Sequence, residues 1–159
     1  MKALHGASEI HLCLVKENRV ATTVNRSTSR LSGVDPAARS LELVLAAART
    51  VDENRGRDIV VLDVRHLTQI FDYFVIATGT SRRHLHAISE EVDRKLEKEM
   101  GDRRLGREGY TDSRWILQDY GNLVIHLFDE ETRRYFALED LWAEGVRVAW
   151  EPSAPAAAR

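Results

Sequence analysis

The sequence has one cysteine, Cys13, and no hydrophobic run that approaches the roughly 20 residues needed to span a bilayer. A lone cysteine excludes a disulfide framework and a cysteine-based metal cluster, and it fits a reducing compartment. No charged start followed by an apolar block marks a secretory signal. We therefore expect a protein that stays inside a cell or organelle and has no membrane partner.

The sequence also lacks a strong excess of either charge, because 23 basic side chains stand against 25 acidic ones. The balance hides a division along the chain. Residues 1–36 have five basic and three acidic groups, whereas residues 113–145 have three arginines and seven acidic side chains. An acidic surface repels phosphate and suits a basic protein. The distribution argues against DNA, or any nucleic acid, as the main partner.

What is present is enough for one domain with a proper core, at 159 residues and 43% hydrophobic side chains. We predict a flexible arm at 1–34, a folded domain at 35–145 and a C-terminal extension at 146–159, with a short edge strand before a Pro/Ala tail. Residues 18–34 are rich in Thr, Ser and Arg and have no acidic side chain. That composition fits a flexible arm and also occurs in organelle transit peptides.

The first half of the domain predicts one helix and two central strands. Asp35 and Pro36 are a typical N-cap and first-turn proline, and apolar residues at helical spacing follow as far as Val51. Residues 58–64 and 73–78 are almost entirely apolar and rich in β-branched side chains, which is typical of strands covered on both faces. The connection between them is too short for a helical crossover, so we expect antiparallel pairing.

The second half predicts a helix, a basic loop and a hydrophobic module at 113–142. The helix begins after Ser81 and ends at Gly101. Within the module two apolar strands reverse at Gly121 and Asn122, which indicates a hairpin, and a single helix follows. The apolar residues of that last helix share one face: Leu138, Leu141 and Trp142. The pattern predicts an α/β (α+β) fold with a mixed sheet of four to five strands and helices packed against it.

One turn could carry chemistry. Thr78 to Ser81 reads TGTS and places a glycine and hydroxyls at the start of a helix, where free N–H groups bind anions. The same residues make an ordinary helix cap. A nucleotidyltransferase would also need a carboxylate pair on a strand to hold magnesium, but Asp63 and Asp119 each stand alone in an apolar strand. We expect no metal and no cofactor.

The histidines and tryptophans leave several interpretations open. His84 and His86 are two residues apart, which points them away from each other on a helix and excludes a joint zinc site. His126 lies in an apolar strand, where it is a hydrogen-bonded sheet histidine, part of a contact surface or a catalytic base. Trp115 and Trp142 fit the core and fit an interface equally well.

Three segments together resemble a known family. They are DYFVIATGTS at 72–81, WILQDYGNLVIHLF at 115–128 and the segment 134–142 ending in LEDLW. In order and spacing they are similar to the ribosomal silencing factors, also called the Iojap family, and the similarity covers about residues 36–143. The resemblance implies a single α/β domain with the outline of a nucleotidyltransferase but without its metal-binding carboxylates.

The resemblance also implies a binding protein and no enzyme. Family members dock on ribosomal protein fourteen of the large subunit and block joining of the small subunit, which lowers translation when nutrients are scarce. Dimers are described in the family, so a homodimer is a second implied partner state. The matching positions predicted to bind the partner are Trp115, Asp119, Tyr120, Gly121, His126, Arg134, Leu138, Glu139, Leu141 and Trp142.

Two departures from the family pattern stand out. Phe136 occupies a position that is usually tyrosine, with Tyr135 before it, so a hydroxyl is lost or displaced by one residue. Asn122 replaces the usual aspartate of the hairpin turn, which is conservative because both tolerate the left-handed region. Two other interpretations remain: a nucleotidyltransferase-like enzyme that uses the turn at 78–81, and a dimeric scaffold without a ribosomal role. We expect a bacterial cytoplasmic location, or an organellar one if residues 1–34 are a transit peptide.

Overall fold

The structure, a computed structural model, describes residues 35–150, so the predicted arm at 1–34 and the tail at 151–159 lie outside the described residues. The described part contains six strands and several helical segments. In chain order they are α1 (Pro36–Glu53), β1 (Arg57–Asp63), β2 (Tyr73–Thr78), α2 (Arg82–Asp93), a π-helical continuation (Arg94–Glu99), β3 (Gly106–Glu108), β4 (Trp115–Asp119), β5 (Leu123–Phe128), α3 (Glu130–Phe136), α4 (Leu138–Leu141) and β6 (Val146–Arg147).

The strands form one mixed sheet in the order β3-β4-β5-β2-β1-β6. Strands β2 and β5 pair in parallel at its centre, and the other neighbours pair antiparallel. The mixed α/β class, the antiparallel pairing of β1 with β2 and the β4–β5 hairpin are confirmed. The expected count of four to five strands was wrong, because the basic loop contains β3. That strand is only Gly-Arg-Glu, so no hydrophobic alternation marks it in the sequence.

The two faces of the sheet are covered unequally. Alternate residues of a strand point to opposite faces, and on β2 Val75 and Ala77 pack on one side while Phe74 and Ile76 pack on the other. The first face lies under the long amphipathic helices α1 and α2, which bury Val51 and several neighbours completely. Among residues 35–150, the short helices α3 and α4 and the loops beside them cover the second face. The described residues therefore give the second face less helical cover than the first.

The last helix breaks in two, although a single helix was expected. Asp129 caps α3 by accepting a hydrogen bond from Thr132 N at 2.7 Å, as its position suggests. Ala137 then adopts a left-handed conformation with φ 42° and ψ 52°, which ends α3 and starts α4. Arg133 spans the break: its guanidinium donates to Glu139 Oε1 at 2.5 Å and to Thr78 Oγ1 at 2.7 Å. This ion pair fixes α4 against the centre of the sheet.

Replacing Ala137 by glycine should raise the free energy of unfolding by about 0.5–1 kcal/mol, because glycine adopts positive φ without the steric cost that a Cβ imposes. The matched control is Ala87→Gly, at an exposed position inside α2. There the same change should lower stability by about 1 kcal/mol. Urea denaturation of both variants measures the difference. A loss of stability in Ala137→Gly as large as that in Ala87→Gly would show that the break is not strained.

Candidate partner-binding surface

The structure separates the predicted partner-binding residues into three groups. On the second face of the sheet lie Trp115, His126, Leu138, Leu141 and Trp142. At the turn between β4 and β5 lie Asp119, Tyr120 and Gly121. On the outer helices lie Arg134 and Glu139. Trp115 and Asp119 lie at opposite ends of β4, and Tyr120 belongs to the core cluster of the first face, so the ten residues do not form one patch.

Trp115 is the centre of an aromatic cluster on the second face. Its indole stacks on Phe128 and leans on Phe136, with ring centroids 5.0 and 4.9 Å away. Its Nε1 donates a hydrogen bond to Nδ1 of His126 at 3.1 Å, which requires that nitrogen to be unprotonated. His126 itself is fully buried in β5. The histidine therefore orients the tryptophan from below, while the half-buried indole reaches the surface.

A groove of about 600 Å³, called here the Trp115 groove, opens beside this cluster. Its lining residues are Glu108, Gly109, Asp112, Arg114, Trp115, Leu117, Glu131, Thr132, Tyr135 and Phe136. The floor is apolar and aromatic, and three carboxylates stand on the rim. Among residues 35–150, Glu108 and Asp112 form no ion pair, whereas Glu131 lies 3.5 Å from Arg114. Tyr135, 75% exposed, projects at the rim.

The loop that forms one side of the Trp115 groove is held against helix α2. Gly109 has φ 71°, and a Cβ there would come within 1.9 Å of the Trp115 carbonyl oxygen, so no larger residue fits. Ser113, fully buried, places its Oγ 2.5 Å from His86 Nε2. The His86 ring stacks on Tyr110 at a centroid distance of 4.0 Å. The groove is thus formed before any partner arrives, which limits the entropy lost on binding.

Trp142 lies at the other end of the second face and has both core and surface contacts. Its ring meets Phe71 and Phe74 edge to face, at centroid distances of 6.0 and 5.1 Å. Together with Leu141 it also lines a shallow hollow of about 480 Å³ that has Asp140 and Glu144 on its border. Truncating Trp142 would therefore disturb the core as well as the surface, which makes it a poor probe of binding alone.

The residues at the β4–β5 turn support the turn itself. Tyr120 is 6% exposed, and its hydroxyl donates to Asp93 Oδ1 at 2.5 Å. Burial, reinforced by this carboxylate, raises the pKa of Tyr120. Asp119 accepts a hydrogen bond from Gly121 N at 2.7 Å, and Gly121 takes φ 88°. Asp93 also binds Gln118, so one carboxylate ties α2 to the hairpin.

Tyr120→Phe should lower the free energy of unfolding by about 1–2 kcal/mol, because it removes a charge-assisted hydrogen bond from a buried site. Tyr135→Phe is the matched control, since its hydroxyl belongs to an exposed ring and its loss should change stability by less than about 0.5 kcal/mol. Thermal unfolding of the two variants provides the comparison. Equal stability of Tyr120→Phe and the unmodified chain would contradict a supporting role for this hydroxyl.

The neighbouring arginines of α3 differ in role. Arg134, which the sequence pattern selected, is exposed and pairs with Glu130 at 2.9 Å. Arg133, which the pattern missed, is the residue that binds Glu139 and Thr78. Glu139 is therefore engaged inside the chain. Helical spacing does not predict the pair of Arg133 and Glu139, because side chains six residues apart do not meet on a continuous helix. They meet here because the helix breaks at Ala137.

The turn at 78–81 is used within the fold. Thr78 is buried and accepts from Arg133, and Ser81 Oγ caps α2 by accepting from His84 N at 3.1 Å. Asp63 and Asp119 are separated by two intervening strands, and hydrogen bonds from Arg65 lower the pKa of Asp63. Within residues 35–150 no cluster of three or more His, Cys, Asp or Glu is placed to hold a metal. No helix in that range is long and apolar enough to cross a membrane.

Comparison with known proteins adds a consistent set of relatives. A family model described as "Ribosomal silencing factor during starvation" matches residues 37–159. A ribosomal silencing factor of Halalkalibacterium halodurans is 34% identical over 110 residues, covering 69% of this chain and 93% of that protein. The Mus musculus protein named mitochondrial assembly of ribosomal large subunit protein 1 is 39% identical over 92 residues, 57% of this chain and 40% of its own length. The fold is similar to the crystal structure of a Chromobacterium violaceum protein, with TM-score 0.63, 33% identity and coverage of 73% of this chain and 95% of the other.

Proposed function

The chain belongs to the ribosomal silencing factor family, and from that membership we propose that it is a translational repressor that binds the large ribosomal subunit. Its docking partner there is ribosomal protein fourteen, and the bound protein occupies space that the small subunit needs for joining. The name of the mouse relative refers to the same subunit, which supports this choice. Translation is thereby lowered under nutrient limitation.

The observation that carries this proposal is the Trp115 groove. A preformed apolar floor with an indole at its centre and an exposed tyrosine at its rim has the composition of an interface hot spot. Trp115 is held in place by His126 and Phe128, so little side-chain entropy is lost on binding. Of the ten residues predicted to bind the partner, we therefore propose that Trp115 and the surface around it make the contact. The buried residues of that set support this surface from within the fold.

The rim charges suit a basic protein surface. Glu108 and Asp112 are the carboxylates on the groove that have no ion pair within residues 35–150, and they replace Glu139 as the groups we expect to steer association. Steering of this kind raises the association rate and weakens as salt is added. Raising ionic strength should therefore slow binding more than it speeds release.

In the proposed mechanism the bound protein blocks the small subunit by occupying its place on the large subunit, and no chemical reaction takes place. A contact of about 800 Å² on each partner is a standard interface, and a second subunit cannot enter the same volume. The competing idea of a nucleotide-using enzyme has less to support it at Thr78 and Ser81, because both hydroxyl oxygens accept hydrogen bonds within the fold. We therefore expect no catalytic group, cofactor or metal in the function of this protein.

The binding step is tested by sedimentation with separated ribosomal subunits. The protein should travel with large subunits and remain at the top of the gradient with small ones. Purified ribosomal protein fourteen, added in excess, should release it from the large subunit. Co-sedimentation with both subunits, or retention in the presence of that competitor, would rule out the proposed docking site.

Two further points belong to the proposal. We propose that the protein also forms a homodimer when it is not bound to the ribosome. In the alternative interpretation, a dimeric scaffold without a ribosomal role, the dimer is the functional form. Adding large subunits to the dimer distinguishes the two, since a repressor should shift from the dimer to the ribosome-bound form. The location we propose is the bacterial cytoplasm, with an organelle as the alternative that the mitochondrial relative supports.

A further inference from the structure

The orientation of Trp115 depends on one hydrogen bond inside the fold. Its indole Nε1 donates to His126 Nδ1 at 3.1 Å, and an indole N–H is a donor only. Nδ1 is therefore the acceptor, which places the proton of the neutral imidazole on Nε2. A doubly protonated imidazole donates from both nitrogens and would oppose the indole N–H with a second donor. The bond exists only while His126 is neutral.

The packing around His126 holds its ring in place. The side chain is fully buried in β5, and the ring meets Phe74 edge to face at a centroid distance of 5.4 Å. The strand register sets Ile76 beside it in β2 and Leu117 beside it in β4. The ring therefore presents Nδ1 to Trp115 as a fixed acceptor.

The shielded charges on the elements packed against His126 are bound to other groups. They are Asp119 in β4, Arg133 in α3 and Glu139 in α4. Asp119 accepts a hydrogen bond within the β4–β5 turn, and Arg133 pairs with Glu139 at 2.5 Å. The remaining ionisable side chains of these elements are exposed or lie on the first face: Glu130, Glu131, Arg134, Tyr135, Asp140 and Tyr73. Protonation of Nδ1 is therefore coupled first to Trp115, which Nδ1 contacts directly.

Loss of this hydrogen bond changes the floor of the Trp115 groove. The indole stacks on Phe128 and leans on Phe136, with centroids 5.0 and 4.9 Å away, so two rings and one hydrogen bond set its plane. Turning Nε1 away from a second donor moves the indole relative to both rings. Because the indole lines the groove, the shape that a partner meets changes with it.

We propose that His126 is a positioning residue for partner binding, whose neutral imidazole holds the Trp115 indole in the binding orientation and whose protonation releases it. The ring itself touches no partner, since it is fully buried. Binding requires the neutral imidazole, so it should weaken as the pH falls through the titration of His126. The effect on the large subunit rests on the proposed function, whereas the state of the indole does not.

The state of the indole is followed in the full chain by nitrogen-15 NMR between about pH 8 and about pH 5, where histidine charge changes. The three tryptophans give three indole N–H signals, and Trp115→Phe identifies the signal of Trp115. We expect this signal to shift, and its proton to exchange faster with solvent, in step with protonation of the His126 ring. A Trp115 signal that stays constant over this range, or a neutral His126 ring with its proton on Nδ1, overturns the proposal.

The link to binding is tested by a double-mutant cycle of His126→Phe and Trp115→Phe, titrated against purified large subunits. His126→Phe keeps a ring and removes the acceptor, so we expect about five-fold weaker binding. His126→Asn, whose amide oxygen can accept from the indole, should recover part of the loss. In the Trp115→Phe background the change to phenylalanine should have no further effect, because no indole N–H is left. An equal loss in both backgrounds would show a general structural role and overturn the proposal.

The pH profile of binding separates His126 from the other histidines. The affinity of the unmodified chain for large subunits should fall about five-fold between about pH 8 and about pH 5, and that of His126→Phe should change less. The matched control is His66→Asn, because His66 is exposed and follows β1, which β5 and β2 separate from β4. That control should keep the full pH dependence. Equal pH dependence of His126→Phe and the unmodified chain overturns the proposal. The NMR response needs no ribosome, so failure here is distinguishable from failure of the proposed function.

Discussion

Replacing Tyr135 by alanine should weaken binding to the large ribosomal subunit about thirty-fold, which corresponds to about 2 kcal/mol. The ring is 75% exposed at the rim of the Trp115 groove, and within residues 35–150 its one recorded ring contact is with Phe136. Its removal therefore leaves the core unchanged and deletes the aromatic side chain that projects farthest towards a partner. The fold should stay as stable as that of the unmodified chain.

The matched control is Leu41→Ala, which removes an exposed hydrophobic side chain from α1 on the opposite face of the sheet. Both variants are titrated against purified large subunits, with circular dichroism to verify folding. We expect normal binding by the control and weak binding by Tyr135→Ala. Equal affinity of the two folded variants would show that the partner does not use the Trp115 groove.

Replacing Arg133 by alanine should have the largest effect on stability among the charged positions of α3. The guanidinium is 13% exposed and Glu139 is 22% exposed, so the change leaves a largely desolvated carboxylate without its cation and removes a donor to Thr78. Breaking such a pair costs several kcal/mol when it is fully buried, and we expect about 2 kcal/mol with this degree of solvent access. Helix α4 loses its ion pair to α3 at the same time and keeps its hydrophobic packing through Leu138.

Arg134→Ala provides the contrast, because the neighbouring guanidinium is 76% exposed and its pair with Glu130 is worth about 0.5 kcal/mol or less. Urea unfolding reports stability, and sedimentation with large subunits reports binding. We expect Arg133→Ala to lose stability, and Arg134→Ala to keep both its stability and most of its affinity. Similar stability of the two variants would contradict the role of Arg133 as the residue that holds the break in place.

The parts of the fold that the sequence predicted are those in which local pattern and burial agree. Strands β2 and β5 are fully buried, and their almost entirely apolar sequences identified them. Asp35 and Asp129 cap helices where their positions suggested. The sequence did not predict strand β3, because this strand is short and polar. It forms through its pairing with β4, a long-range interaction that leaves no local pattern in the sequence.

The candidate site was harder to predict because a motif records order along the chain and not burial. WILQDYGNLVIHLF contains Trp115, which reaches the groove, and Tyr120, which is locked against Asp93 at the far end of β4. The break at Ala137 had no signal either, since alanine favours helix and left-handed alanine is rare. Glu139 was expected to face the partner, and the break turned it towards Arg133 instead.

Subunit joining is the measurement that tests the proposed repression most directly. Purified small and large subunits are mixed at a magnesium concentration that favours joining, with and without the protein at a concentration just sufficient to occupy most large subunits, and light scattering follows their association. We predict a large fall in the joined fraction with the protein, and recovery when Tyr135→Ala is used at the same concentration. Joining that proceeds equally with and without the unmodified protein would contradict a repressor that acts by occupying the large subunit.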